Sequence, residues 1–329
     1  MRGVRIVNTD GPERALEASS DLDEPEASHM LTPGQGVVVD VEAAGVSFPE
    51  LLQTRGEYQL KPPLPFVPGS EVAGVVRSAP DGAPVKAGQR IAAFCALGGF
   101  AEVAVAPAFA CFELPDAIDS AQGAGLVLNY HTAYFSLRIR GGLREGETAL
   151  VHGAAGGVGT ASIQVAKGLG ARVIGVVSSA EKERVAREAG ADEVVRADAD
   201  WKESVKELSG GGVDVVIDPV GGDRFTDSLR SLGEGGRLIV VGFTGGSIPE
   251  VKVNRLLLGN TSVVGAGWGA YVLSKPDVWR EIGDAIAAMI EAGHVRPIVG
   301  ARYGLESARD ALLALDNREA LGKIVLEVA

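Results

Sequence analysis

Between Thr148 and Lys182 the spacing of apolar positions changes twice, and each change marks a new element. Thr148–His152 is a short apolar run closed by Gly153, which predicts a strand. Val158, Ala161, Val165 and Leu169 then recur at helical spacing, and Arg172–Val177 is continuously apolar again. The same alternation continues downstream. Ala180–Ala189 is predicted as a charged helix ended by Gly190, Asp192–Val195 as a strand, and Trp201–Leu208 as a helix. Val213–Ile217 follows as a buried strand, Phe225–Leu232 as a helix, Gly236–Val241 as a strand, and Thr261–Gly265 as one more β run. Strands alternating with helices of these lengths predict an α/β fold with a parallel, doubly wound sheet.

The flanks read differently. Up to about Pro115, short apolar runs at Gly36–Val41, Ser70–Arg77, Gln89–Ala93 and Ala101–Val105 are punctuated by Gly and Pro clusters, the pattern of a β-rich domain. Glu13–Met30 is acidic and poor in apolar residues, which predicts a polar-edged strand and a loop. Asp119–Arg138 shifts to helical spacing. In the tail, Pro276–Ala292 is an amphipathic helix with Val278, Ile282, Ala285, Ile286 and Met289 on one face. Ser307–Leu315 is a second helix and Lys323–Val328 a last strand, too little for a domain of its own.

Candidate chemistry begins at the turn after the first strand of the alternating region. Ala154, Gly156 and Gly159 occupy the positions of a G-x-G-x-x-G turn, with Gly157 and Val158 between the last two. Missing Cβ atoms let the backbone approach a pyrophosphate, and the helix that follows offers free N–H groups and its positive dipole end. The strand–turn–helix setting makes this a dinucleotide site. An acid about 20 residues further on would hold a ribose 2′-OH and repel a 2′-phosphate. This chain has Ser178 and Ser179 there, followed by Lys182, so the expected cofactor is NADPH rather than NADH, although Glu181 adjoins the lysine.

Length and composition narrow the partners. A chain of 329 residues suggests two domains. A formal net charge of −12 argues against nucleic acid or an anionic membrane as the main partner. No apolar run reaches the length of a membrane span, and the first residues lack a signal-peptide core. Cys95 and Cys111 lack metal-site or disulfide spacing and fit reduced thiols in a cytoplasmic protein.

Several stretches, taken in order, resemble the zinc-free quinone oxidoreductases of the medium-chain dehydrogenase/reductase (MDR) superfamily. They are VEAAGVSFPELLQTRGEYQ (41–59), PPLPFVPGSEVAGVV (62–76), HGAAGGVG (152–159), VVIDPVGG (215–222), the run from GGRLIVVGFTGG through VVGAGWGAY (235–271), and RxxxGKIVLEV (318–328). The resemblance implies a GroES-like catalytic domain from residues 1–121 and 267–329, with a Rossmann NADPH-binding domain, residues 122–266, inserted in it. It also implies a cleft between the domains and a homodimer pairing edge strands near Thr261–Gly265. Zinc-dependent members place a Cys in the segment matching GVSFPE and a His-Glu pair in that matching GSE. Here those positions hold Ser47, Ser70 and Glu71, so no metal is expected, and Glu71 is expected to be a structural hydrogen-bonding carboxylate.

Without a Lewis acid, reduction of an acceptor that is already electrophilic is the chemistry that remains. The resemblance implies NADPH-dependent hydride transfer to a quinone. Reduction of 2-enals, enones or enoyl thioesters is the alternative within the enzyme class. A crystallin-like NADPH-binding protein with little turnover is the alternative outside it. By family position Ser47 and Tyr58 are the candidate catalytic groups, with Phe48 beside Ser47. Many relatives have Asn where this chain has Ser47, which shortens the polar reach. Asn129 and Thr132 match the helix start beneath the nicotinamide, and His131 between them is expected to be structural or solvated. Val220, Gly242, Phe243, Gly267 and Trp268 are expected along the nicotinamide. Arg196 is a candidate contact near the 2′-phosphate, and Arg318 and Lys323 are further candidates to reach the cofactor phosphates.

Overall fold

The computed structural model describes residues 1–198, 200–273 and 275–328. Their contacts divide into two units, the first made of Met1–Leu128, Lys275–Arg280 and Pro297–Ala329, the second of Asn129–Ser274 and Glu281–Arg296. The boundary expected at 121/122 therefore falls inside the first unit. The helical turn Ser120–Gly123 packs on strands Gly36–Val46 and Glu71–Ser78, and the Leu128 N–H donates to Glu71 at 2.8 Å. The tail also differs from the expected 267–329 block. Trp279 packs among Phe94, Phe109 and Phe112 in the first unit. In the second, Arg296 exchanges hydrogen bonds with Gln164, and Met289 lies against Gly168.

The first unit is β-rich. Its main sheet runs in the order Val299–Gly304, Lys323–Glu327, Gly36–Val46, Glu71–Ser78, Arg90–Phe94, Cys111–Glu113, and Val103–Pro107 pairs the first half of Gly36–Val46. Gly36–Val46 is central and almost continuously buried, as an apolar run covered on both faces should be. Its register brings distant polar residues together. Ile324 pairs with Val46, which sets Lys323 across from Ser47, and Val72 pairs with Ala44, which sets Glu71 across from Gly45. The acidic stretch Glu13–Met30 contributes a strand at Leu16–Ser19, paired with Gly3–Ile6, preceded by the short helix Pro12–Ala15.

The second unit holds the alternating elements. They are β1 (Thr148–His152), α1 (Gly157–Gly168), β2 (Arg172–Val177), α2 (Ala180–Glu188), β3 (Glu193–Arg196), α3 (Trp201–Ser209), β4 (Val213–Asp218), α4 (Phe225–Arg230), β5 (Leu232–Val240) and β6 (Ser262–Gly265). The six strands are parallel in the order β3-β2-β1-β4-β5-β6. The doubly wound sheet expected from the sequence is present, with its order reversing between β1 and β4. In such sheets ligands bind outside the carboxyl ends of the strands at that reversal. Two elements differ from expectation. α4 stops at Arg230, so Leu232 already opens β5 instead of closing the helix. The helical stretch Asp119–Arg138 is broken into Ser120–Gly123, Val127–Tyr134 and a π-helical turn, Phe135–Arg140.

Candidate functional site

At the reversal point β1 ends on His152, and Gly153 turns the chain in the left-handed region (φ 60°). The Gly156 N–H donates to the Gly153 carbonyl at 2.9 Å, and α1 starts at the next residue. The N–H groups of its first turn have no acceptor within the helix and are available to an anion. Two glycines of the turn are needed for different reasons. A Cβ on Gly159 would fall on the Gly153 carbonyl and within 2.9 Å of the Ala154 Cα, so the turn closes onto α1 only with glycine there. Gly156 has an ordinary extended backbone, and a Cβ there would meet only the Gly153 oxygen, at 3.5 Å. The protein itself leaves room for a methyl at Gly156, and a phosphate approaching the helix end would occupy that room. Ala154 fits the first slot because its methyl is buried against Gly175. The Asn129 side-chain amide abuts the position a Cβ on Gly157 would take, so Asn129 also belongs to this end of α1.

The carboxyl end of β2 gathers the predicted phosphate contacts. Ser179 caps α2 by accepting from the Lys182 N–H at 3.2 Å, and the Lys182 ammonium lies 3.4 Å from the Ser178 hydroxyl. Arg196 pairs in register with Val177, beside this end, and its guanidinium donates to Glu183 at 3.0 and 3.1 Å. Hydrogen bonds from Arg196 and then Arg187 hold the Glu183 carboxyl below its ordinary range.

The loops after β4 and β5 interlock beside the glycine turn. Asp218 accepts from the N–H groups of Val220 and Gly221, both at 2.9 Å. Val220 in turn accepts from Gly245 at 2.8 Å, and a Cβ on Gly153 would lie 3.3 Å from the Val220 side chain. Gly242 sits by the Pro219 carbonyl, and Phe243 is exposed. Gly267 and Trp268 follow β6, and the Trp268 ring meets His131 edge-on at 5.9 Å. Thr132 and His131 are both buried. Burial pushes His131 down to about 3, so it is a neutral, buried ring rather than a solvated one, and at neutral pH it is not an acid.

The first unit holds a separate polar cluster at Ser47. Ser47 precedes the helix Phe48–Gln53, whose Glu50 reaches back to accept from the Ser47 N–H at 2.9 Å, half of a capping box. Glu50 also accepts from the N–H and hydroxyl of Ser70, at 2.8 and 2.5 Å. Burial raises the Glu50 carboxyl, against the pull of Ser70 and Lys323. On the other side the Lys323 ammonium donates to Ser47 Oγ and to Glu71 Oε1, both at 2.5 Å, while Glu71 Oε2 accepts from the Leu128 N–H. Lys323 was expected at the cofactor phosphates. Its ammonium is buried in the first unit, where strand pairing sets it across from Ser47. Glu50, not among the expected site residues, has a local signal in the sequence: Ser47-Phe48-Pro49-Glu50 carries the S-x-x-E pattern of a capping box.

Tyr58 is half-buried, and burial, then the Glu50 charge, raises its phenol, which stays a hydrogen-bond donor at neutral pH. Arg318 follows the helix Ala308–Asp316 with left-handed backbone (φ 61°). The donor set around Ser47 does not fit a zinc ion. Its oxygens come from two serines and two carboxylates, and an ammonium already bonds Glu71 at 2.5 Å. Among the described residues no group of three His, Cys, Asp or Glu side chains could hold a metal. No described helix is long and apolar enough to cross a membrane.

Comparison with known proteins finds two family matches along the chain. Residues 33–116 match the model of the alcohol dehydrogenase GroES-like domain, and residues 157–288 that of the zinc-binding dehydrogenase family. The chain is 38% identical over 317 residues to quinone oxidoreductase-like protein 2 of Bos taurus, covering 94% of this chain and 91% of the relative. It is 35% identical to the quinone oxidoreductase of Rattus norvegicus, covering 99% of this chain and 97% of the relative. The quinone oxidoreductase of Thermus thermophilus, solved alone and with NADPH, superposes with a TM-score of 0.85 at 33% identity, with all of both chains covered. The cradle at α1, the hydroxyl–ammonium group at the end of β2 and these likenesses converge: the chain belongs to the quinone oxidoreductase-like family of the medium-chain dehydrogenase/reductase superfamily.

Proposed function

We propose that this protein is an NADPH-dependent, zinc-independent reductase that delivers hydride to quinones, with enones and enoyl thioesters as the neighbouring acceptor class. The observation that carries the reading is the Ser178–Ser179–Lys182 group at the end of β2, two hydroxyls and an ammonium where an NAD site places an acid. NADPH fits the residues present. Gly156 and the start of α1 would take the pyrophosphate, Ser178, Ser179 and Lys182 the 2′-phosphate, and Asn129 and Thr132 lie in the same unit. The bound cofactor supplies the hydride. The chain supplies binding, orientation and hydrogen-bond donors for the acceptor oxygen, for which Ser47 and Tyr58 are the candidates. The quinone oxidoreductases of Thermus thermophilus and Escherichia coli, both solved as complexes with NADPH, support the same reading.

An acceptor scan tests it. NADPH oxidation followed with a benzoquinone, an enone and a crotonyl thioester is expected to be fastest with the quinone. Faster oxidation with the enone or thioester would move the assignment to the alternative. Tight NADPH binding with no oxidation of any of them would leave a binding protein. In the same assay Lys182→Ala is expected to lower the NADPH over NADH preference about tenfold, the worth of one charge-assisted contact. An unchanged preference would remove Lys182 from the 2′-phosphate site.

The proposal extends to a cytoplasmic homodimer formed through β6. That strand is the outer strand of the sheet, bonded on one side to β5, and Leu257 and Leu258 just before it are 76% and 79% exposed. A bare edge with apolar neighbours is a template for pairing with a second copy. Light scattering is expected to give a dimer mass at micromolar concentration. A monomer that persists at high protein concentration would exclude this edge as an interface.

A further inference from the structure

The cluster around Ser47 has a fixed hydrogen-bond polarity. Lys323 has only protons to give, so Ser47 Oγ must accept from it. The Ser47 N–H is committed to Glu50. What remains on Ser47 is its own hydroxyl proton, for which no described residue provides an acceptor. The accessibility of the cluster points the same way. Glu50 and Glu71 are 0% exposed, Lys323 is 4%, and Ser47, at 7%, is the most accessible of the four. The ammonium behind it is locked. A Cβ on Gly125 would lie 2.9 Å from the Lys323 stem, and one on Gly45 2.8 Å from Glu71 Cγ, so both side chains are held by backbone at van der Waals distance. Glu71 is fixed from its far side by the Leu128 N–H.

We infer that Lys323, held by Glu71, is a positioning residue that turns Ser47 into a charge-backed hydrogen-bond donor for an acceptor oxygen on which negative charge develops. A hydroxyl that accepts from a cation is polarised and gives a stronger hydrogen bond than one on its own, and burial keeps water from screening the charge. The pair therefore performs by hydrogen bonding the stabilisation that preorganised donors provide in an oxyanion site. This inference rests on the proposed reductase function for the identity of the acceptor, a quinone or conjugated carbonyl. The hydrogen-bond polarity of the cluster stands independently of it.

The test uses a product-like phenol, 4-nitrophenol, whose absorbance reports its ionisation when bound to the full-length protein with NADP⁺. Wild type is expected to lower the apparent pKa of the bound phenol by about one unit, a tenfold preference for the phenolate. Ser47→Ala is expected to abolish that shift, and Ser47→Thr to retain it. Lys323→Met alone leaves the Glu71 carboxylate buried without its cation and is liable to misfold. The decisive variant is the double change Lys323→Met with Glu71→Gln, which removes both charges together. It is expected to bind NADPH as wild type does, lose the phenol shift, and lower kcat for quinone reduction by the same factor as Ser47→Ala. Combining the double change with Ser47→Ala is expected to add nothing further, as for residues that act as one unit. A wild-type protein that leaves the phenol pKa unmoved, or a folded double variant that keeps the shift, would overturn the inference. A wild type that shifts the phenol yet reduces no quinone or enone would instead overturn the functional reading and support the donor.

Discussion

Gly159→Ala is expected to weaken NADPH binding by about 100-fold and to cost about 1–3 kcal/mol of stability, because the new methyl falls on the backbone of Gly153 and Ala154. Backbone cannot rotate away as a side chain does, so α1 must move off the turn, and the N–H groups proposed to take the pyrophosphate move with it. Gly156→Ala provides the contrast. There a methyl meets only the Gly153 oxygen, at ordinary contact distance, so the thermal midpoint is expected to stay at the wild-type value. Its affinity for NADPH is still expected to fall, by about tenfold, because the methyl stands where the phosphate would approach. Fluorescence titration with NADPH, run beside thermal unfolding, separates the two effects. A Gly156→Ala protein with wild-type affinity would show that nothing approaches the backbone there, and the turn would lose its reading as a phosphate cradle.

What could be read from the sequence came from local pattern. β1, α1 and β2 were legible because apolar spacing changes at Gly153 and again near Arg172, and because the glycines fall between a strand and a helix. The grouping of Ser178, Ser179 and Lys182 at the end of β2 was legible too, since they are neighbours in sequence and needed only the helix to bring them together. Leu232 continues the apolar spacing of α4, whereas pairing with Val213 claims that residue for β5. The Ser47 cluster was not legible. Ser47 and Lys323 are 276 positions apart, and their meeting depends on the pairing of Val46 with Ile324, which no local periodicity encodes. Lys323 read alone resembles any basic residue available to a phosphate. Its burial, which changes its role, is a property of the sheet.

Acid is expected to destabilise this protein well before its carboxylates titrate, and His131 sets the largest single effect. Burial takes its imidazole from an ordinary 6.5 to about 3, so the folded ring stays neutral while the unfolded one gains a proton below pH 6.5. The unfolded state then binds more protons, and stability falls as pH falls. The contribution is fully present above pH 6.5, has declined by about 2 kcal/mol at pH 5, and the loss levels off at about 5 kcal/mol below pH 3. Two other histidines act in the same direction. Burial lowers His152, which lies 2.8 Å from the Ser228 hydroxyl and edge-on to Trp201, and it lowers His29 against the carbonyl of Cys95. Carboxylates held down by cations, such as Glu183 between Arg196 and Arg187, lose their contribution only below their ordinary 4.5. Glu50, whose carboxyl burial raises, acts in the opposite sense, so the loss of stability between pH 6.5 and 5 comes from the histidines. Urea unfolding across that window is expected to give midpoints that fall steadily with pH. His131→Phe keeps an aromatic ring against Trp268 and removes the titration, so its decline is expected to be shallower by about 1.4 kcal/mol per pH unit. An equal slope in wild type and His131→Phe would mean that His131 takes up its proton as readily folded as unfolded, and the buried neutral ring would have to be abandoned.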